Sequence, residues 1–133
     1  MPTVHRQPKA CFLLAPPTAA CLLARMFAPL QFYQWLTGEM GQLLAKQEFM
    51  VALPQPILPT KIYAGVGGVT SSFSIFGEHL NDGILALHET WLPQVPVMIV
   101  PSIHTSIMNS LLVTHDIIRF LSGNSTGEDA HEK

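Results

Sequence analysis

Charge is what this chain has least of. Lysine, arginine, aspartate and glutamate together make up 12% of 133 residues, about half the share usual in a globular protein. With 48% apolar residues, such a chain has little polar material to coat a surface, so part of that surface is expected to be hidden against another copy or another chain. The formal net charge of −2, with no basic cluster, argues against a nucleic-acid partner. Cysteine is nearly absent too. Cys11 and Cys21 cannot make a disulfide framework and read as two small buried hydrophobes. There is no internal repeat and no low-complexity linker, and the one G-x-S-x-G spelling, Gly123-Asn124-Ser125-Thr126-Gly127, lies in the polar tail past the last predicted helix rather than on a strand-to-helix nucleophile elbow. No residue set calls for a cofactor or a metal: His79, Asp82 and His88 match no standard ligand spacing.

The N-terminus imitates an export signal without completing one. His5, Arg6 and Lys9 precede two apolar stretches, but Pro16-Pro17 cuts between them, and proline opposes a continuous helix. The uncharged stretch from Lys9 to Arg25 is too short to span a bilayer. A cytoplasmic location is therefore the expectation, with export through residues 1 to about 23 as the alternative and membrane association disfavoured. The sequon Asn124-Ser125-Thr126 acquires meaning only in an exported chain.

Apolar patterning predicts one α/β domain over residues 10–122, flanked by disordered segments at 1–9 and 123–133. Residues 10–15 are a continuous apolar run closed by two prolines, as in a buried parallel strand. Thr18 is placed to cap a helix running to Phe27. Two further short helices are expected over 30–36 and 40–51, making 18–53 a helical, cap-like segment. Three prolines within residues 53–59 make that stretch an extended connector. Strands follow at 61–66 and 95–100. Between Ser110 and Leu121, apolar Val113, Ile117, Phe120 and Leu121 stand at helical spacing, and Gly123 supplies the stop. The expected fold is an open parallel sheet of about three strands with flanking helices.

The candidate chemistry lies in two loops. Asn81-Asp82-Gly83 is a turn triplet, and the strand at 95–100 runs into Pro101-Ser102-Ile103-His104-Thr105. In open α/β sheets such loops meet in the crevice at the carboxyl ends of the strands. An aspartate there can orient a histidine, and spacing alone equally allows Asp82 to serve only its turn and His104 only a helix cap. Gly65-Val66-Gly67-Gly68 lacks the spacing of a dinucleotide or phosphate loop and reads as a tight turn. Phe32, Tyr33 and Trp35 read as core aromatics, with an acyl pocket beneath a cap as the other reading.

These motifs and their order resemble the C-terminal part of lipase- and esterase-like α/β-hydrolases. The matching text is Leu14-Ala15-Pro16-Pro17, the Phe32-to-Gly38 stretch, Tyr63-Ala64-Gly65, Asn81-Asp82-Gly83, Val100 through Thr105 and Met108-Asn109-Ser110, covering about residues 10–122. The resemblance implies a partial α/β-hydrolase fold, Asp82 as triad acid and His104 as general base, and a small ester or lipid as ligand. It departs from the family in lacking the opening strands, the oxyanion-hole loop and the nucleophile. Ser102, Ser106 and Cys21 are the available substitutes, and none sits on a strand-to-helix elbow. The expectation is a fragment inactive alone, present as a homo-oligomer or joined to a complementary hydrolase half. The alternative is a non-catalytic binding or assembly module derived from such an enzyme.

Overall fold

The protein is described here by a computed structural model covering residues 9–123. The expectations for the tails and for the sequon fall, apart from Lys9 and Gly123, outside the described residues. In chain order the elements are β1 (Cys11–Leu14), α1 (Leu22–Phe27), α2 (Gln31–Leu43), α3 (Gln47–Val51), β2 (Thr60–Gly65), β3 (Val97–Val100) and α4 (Leu111–Leu121). Short 3₁₀ turns at Leu87–Thr90 and His104–Asn109 flank β3.

The three strands form one parallel sheet in the order β1-β2-β3. Central β2 is apolar along its middle because both its faces are covered, and Ile62, Tyr63 and Ala64 have no solvent exposure. On one face Tyr63 and Val100 pack with Ala15, Ile107 and Val113, joined by partly buried Phe12, Leu14, Met98 and Ile117. This face is closed by α4. Ser110 caps that helix, accepting the Val113 N–H, and Gly123 at φ +75° lies just past its end, the left-handed conformation glycine adopts without strain. Phe120 meets Phe12 edge to face at 5.4 Å. Beside them the Asp116 carboxylate receives both Lys61 Nζ at 2.6 Å and the Tyr63 hydroxyl at 2.7 Å, tying the last helix to the central strand.

The opposite face carries Cys11 and Leu13, beside a groove that Met50, Val51 and Trp91 also line. Here the chain departs from the expected element bounds. Thr18 caps no helix; its hydroxyl donates instead to the carbonyls of Glu89 and Trp91, and α1 begins four residues later, behind Cys21. Residues 31–43 are two helical stretches meeting at Gly38, which takes the non-helical φ +59° and ψ −147°, so the break expected at Thr37-Gly38 is present. The helix expected over 40–51 is instead interrupted after Leu43 and resumes as α3 at Gln47.

Two features mark the surface of the described residues. Cys11 and Ala15 turn their N–H groups to β2, donating to Pro59 and Tyr63. Alternation therefore aims the backbone groups of Phe12 and Leu14 at the open edge of β1. Among the described residues twenty-two large apolar side chains are also exposed, against eight that are buried. Single exposed hydrophobes are ordinary, and an excess this large is not.

Candidate functional site

Three glycines bring two loops together at the carboxyl end of β2. A Cβ at Gly65 would strike the Ser102 carbonyl oxygen, one at Gly67 would lie 2.7 Å from the Ser102 carbonyl carbon, and one at Gly68 would strike Asn81 Oδ1. In the space so freed, Gly67 N–H donates to Ser102 O at 2.9 Å and Gly68 N–H to Asn81 O at 2.9 Å. The glycines expected to make a tight turn instead continue the backbone pairing past the end of β2, Val66 N–H donating to Val100 O, and serve close backbone approach. Asn81, with no solvent exposure, locks it: its amide donates to Val69 O and His79 O while Oδ1 accepts from Gly83 N–H.

Asp82 is the next residue and is 2% exposed. Its Oδ1 accepts the N–H groups of Ile84 at 2.9 Å and Leu85 at 2.7 Å, which fixes the carboxylate plane. Its Oδ2 lies 2.7 Å from His104 Nδ1. The two backbones are also joined, His104 N–H donating to Asp82 O at 2.8 Å. Asp82 thus serves its own turn and also holds the histidine, while His104 is the first residue of a 3₁₀ turn whose cap position is Ile103. A proton on Nδ1 would be donated to that carboxylate, and the ring's second nitrogen, Nε2, points away from it. The His104 side chain is 32% exposed, and among the described residues Nε2 has no hydrogen-bond partner. The carboxylate thus orients the ring, whose second nitrogen is left open.

None of the three substitute nucleophiles engages that nitrogen. Ser102 Oγ and Ser106 Oγ lie 3.0 Å apart, so one donates to the other, and the hydroxyl left free can donate to Ile103 O, 3.2 Å from Ser102 Oγ and 3.3 Å from Ser106 Oγ. Cys21 is buried and its S–H points to Ile84 O. Burial pushes the Cys21 thiol up, the Glu89 and Asp82 charges add to this, and the N–H groups of Ala24 and Leu23 oppose it without prevailing. A thiol so placed is less nucleophilic than a free one. His79 and His88 stand edge to face with ring centres 5.9 Å apart, but Asp82 is committed to His104 and does not join them. Among the described residues no cluster of three metal-ligating side chains occurs.

The aromatic segment departs from expectation. Phe32 is 71% and Trp35 80% exposed, so neither belongs to the core; only Tyr33 is half-buried, tilted against Phe27 at 6.1 Å. The short α2 faces no second layer that could bury them.

One residue that the sequence reading passed over is Glu89. It is 2% exposed, and its two carboxylate oxygens accept Leu22 N–H at 2.6 Å and Ala86 N–H at 2.8 Å. The signal for it was a glutamate three residues into a helical turn, the second half of a capping box. Ala86 at the cap position, with no side-chain acceptor, concealed it.

The chain matches no family model, no curated protein and no solved structure. Among the described residues no helix is long and apolar enough to cross a membrane.

Proposed function

We propose that residues 10–122 are the acid- and base-bearing part of a lipase- or esterase-like α/β-hydrolase, working on carboxylic esters with a serine supplied from outside these 133 residues. The observation that carries this reading is the Asp82 Oδ2–His104 Nδ1 contact of 2.7 Å at the carboxyl end of a parallel sheet, with Nε2 unpartnered. A carboxylate that fixes the tautomer and stabilises the imidazolium is what a serine base requires. In the completed site Nε2 takes the serine proton as Oγ bonds to the ester carbonyl carbon. His104 then returns that proton to the departing alkoxide. Water repeats the sequence on the acyl-enzyme, releasing the carboxylic acid. The open edge of β1 offers a place for the missing piece: a strand added parallel there would end on the same side of the sheet as the dyad.

A fluorophosphonate tests the reading, because it forms a stable bond only with an activated serine. The tagged wild-type chain, expressed in its source cells and purified with whatever accompanies it, is expected to yield one serine-labelled species. The same preparation bearing His104→Gln is expected to yield none. Equal labelling in both, or no labelled serine with the wild type, defeats the proposal.

The second reading, a non-catalytic binding or assembly module that kept a hydrolase remnant, is favoured by the twenty-two exposed apolar side chains. It shares the expectation of a partner or a second copy. It differs in that His104→Gln leaves the purified assembly and all its properties unchanged.

A further inference from the structure

We infer that Glu89 is a positioning residue: its buried carboxylate clamps the loop that carries Asp82 to the segment leaving β1, and so holds the Asp82–His104 pair in register. The inference rests on the reading of those two residues as acid and base.

A carboxylate at 2% exposure carries a desolvation penalty that something must offset. Among the described residues the ion pairs are Lys61–Asp116 and Asp82–His104, so no cation offsets it for Glu89. Its charge is met instead by two backbone N–H groups from segments more than sixty residues apart: Oε1 accepts from Leu22 and Oε2 from Ala86. Glutamine would not substitute. It has one acceptor oxygen, and its NH₂ would face the remaining N–H, leaving two donors opposed in a buried site.

The backbone of Glu89 reinforces the clamp. Its carbonyl accepts both the N–H of Thr18, at 2.7 Å, and the Thr18 hydroxyl, at 2.9 Å. On the loop side, Ala86 is one residue from Leu85. Leu85 donates its N–H to Asp82 Oδ1 and accepts the Asp82 N–H on its carbonyl. Ala86 is also bridged to Asn81. Two hydrogen-bonded steps thus separate the Glu89 carboxylate from the Asp82 carboxylate. Apolar packing follows the same seam, with Leu85 against Cys21 and Ala24. No other buried carboxylate oxygen in the described residues joins the first crossover to the acid loop.

The lifetime of the His104 Nδ1 proton, read by NMR exchange with water, separates positioning from mere stabilisation. Wild type is compared with Glu89→Gln, Glu89→Asp and Lys61→Met, the last weakening an ion pair on the opposite face of the sheet. The expected result is exchange about tenfold or more faster in Glu89→Gln, an intermediate rate in Glu89→Asp, and a near-wild-type rate in Lys61→Met even where its unfolding midpoint falls as far. Should Glu89→Gln not fold, Glu89→Asp against Lys61→Met carries the same comparison. The inference is overturned if the Glu89 variants keep the wild-type lifetime, or if lifetimes in all variants simply follow unfolding midpoints. Asp82→Asn keeps the two failures apart. A proton lifetime indifferent to Asp82→Asn sinks the dyad and the inference together, whereas one sensitive to Asp82→Asn but not to Glu89 sinks the inference alone.

Discussion

Gly68 and Asn81 touch so closely that a methyl group on the one would overlap the amide oxygen of the other. The Asn81 amide in turn spans Val69, His79 and Gly83, so the glycine is a condition of the acid loop's shape rather than a convenience of the turn. Gly68→Ala is expected to cost about 2 kcal/mol or more, from overpacking a buried site and loosening three hydrogen bonds. Gly83→Ala is the instructive contrast. Nothing lies within 4 Å of a Cβ there, and only the φ of +95° opposes it, for about 1–2 kcal/mol. Urea midpoints measure both. In the crystal or NMR structure of a folded Gly68→Ala variant, Asn81 should be displaced; an unmoved Asn81 and an unchanged midpoint would contradict the argument.

The Lys61–Asp116–Tyr63 cluster sets how stability depends on pH at both extremes. Burial alone would raise Asp116, but hydrogen bonds from Lys61 and Tyr63, with the Lys61 and Arg119 charges, outweigh it and hold the carboxyl below the usual aspartate range. Its folded value lies under its unfolded one, so its contribution is complete above about pH 4 and is lost as pH falls through the folded value. Tyr63 behaves oppositely. Burial first, then the hydrogen bond to Asp116 and its charge, raise the phenol. Its contribution is complete below about pH 10 and is lost as pH climbs beyond that. Tyr63→Phe should cost about 1 kcal/mol at neutral pH and flatten the alkaline loss, while Asp116→Asn should flatten the acid one. Urea midpoints taken near pH 3, 7 and 11 decide it. An alkaline limb as steep in Tyr63→Phe as in wild type assigns that limb elsewhere.

Strand positions were legible because each is an apolar run bounded by proline or glycine. The run at 95–100 led directly to β3 at Val97–Val100. Helix α4 was legible from Val113, Ile117 and Phe120, which do face the sheet. What misled was local polarity read without its long-range partner. Thr18 looks like a helix cap until Glu89 and Trp91, more than seventy residues away, take its hydroxyl. Glu89 itself looks like surface, since nothing in its neighbourhood announces that Leu22 will donate to it. Phe32 and Trp35 look like core, because aromatics at helical spacing presuppose a second layer that this fold does not provide. For the site, the two loops could be placed from sequence, and the contact between their side chains, 2.7 Å across a separation of 22 residues, could not.

The two cysteines should differ in reactivity. Cys21 is buried, its S–H is aimed at a carbonyl and burial pushes its thiol up, whereas Cys11 is partly exposed beside the groove under β1. Alkylation by iodoacetamide at neutral pH, followed by peptide mass spectrometry, is expected to modify Cys11 first and Cys21 only as the fold opens. Adding urea to just above the unfolding midpoint should bring the two rates together. If Cys21 reacts faster in the native protein, it is an activated thiol, and its exclusion as a nucleophile fails.

The exposed apolar surface demands an association that can be located by mutation. On α2, Phe32, Trp35 and Leu36 recur at helical spacing before the Gly38 kink and Met40 follows it, and all are more than 60% exposed. On α4, Leu111, Ile118 and Leu121 form a second apolar stripe opposite the face that packs on the sheet, each again above half exposed. Exposed polar side chains stand beside these stripes, Gln31, Gln34 and Glu39 on α2 and Thr114, His115 and Arg119 on α4, so each stripe is a bounded patch rather than a whole helix surface. Light scattering at micromolar concentration is expected to find wild type as a dimer or larger. Polar replacement of one stripe, either Phe32→Gln with Trp35→Gln or Ile118→Gln with Leu121→Gln, should restore a monomer. Exposed side chains make no native packing that their loss would cost, so the unfolding free energy of the monomer should change by no more than about 0.5 kcal/mol per site. The stripe whose replacement dissociates the protein is the interface. A wild-type chain that stays monomeric and monodisperse removes the need for a partner, and with it the completed-site reading that depends on one.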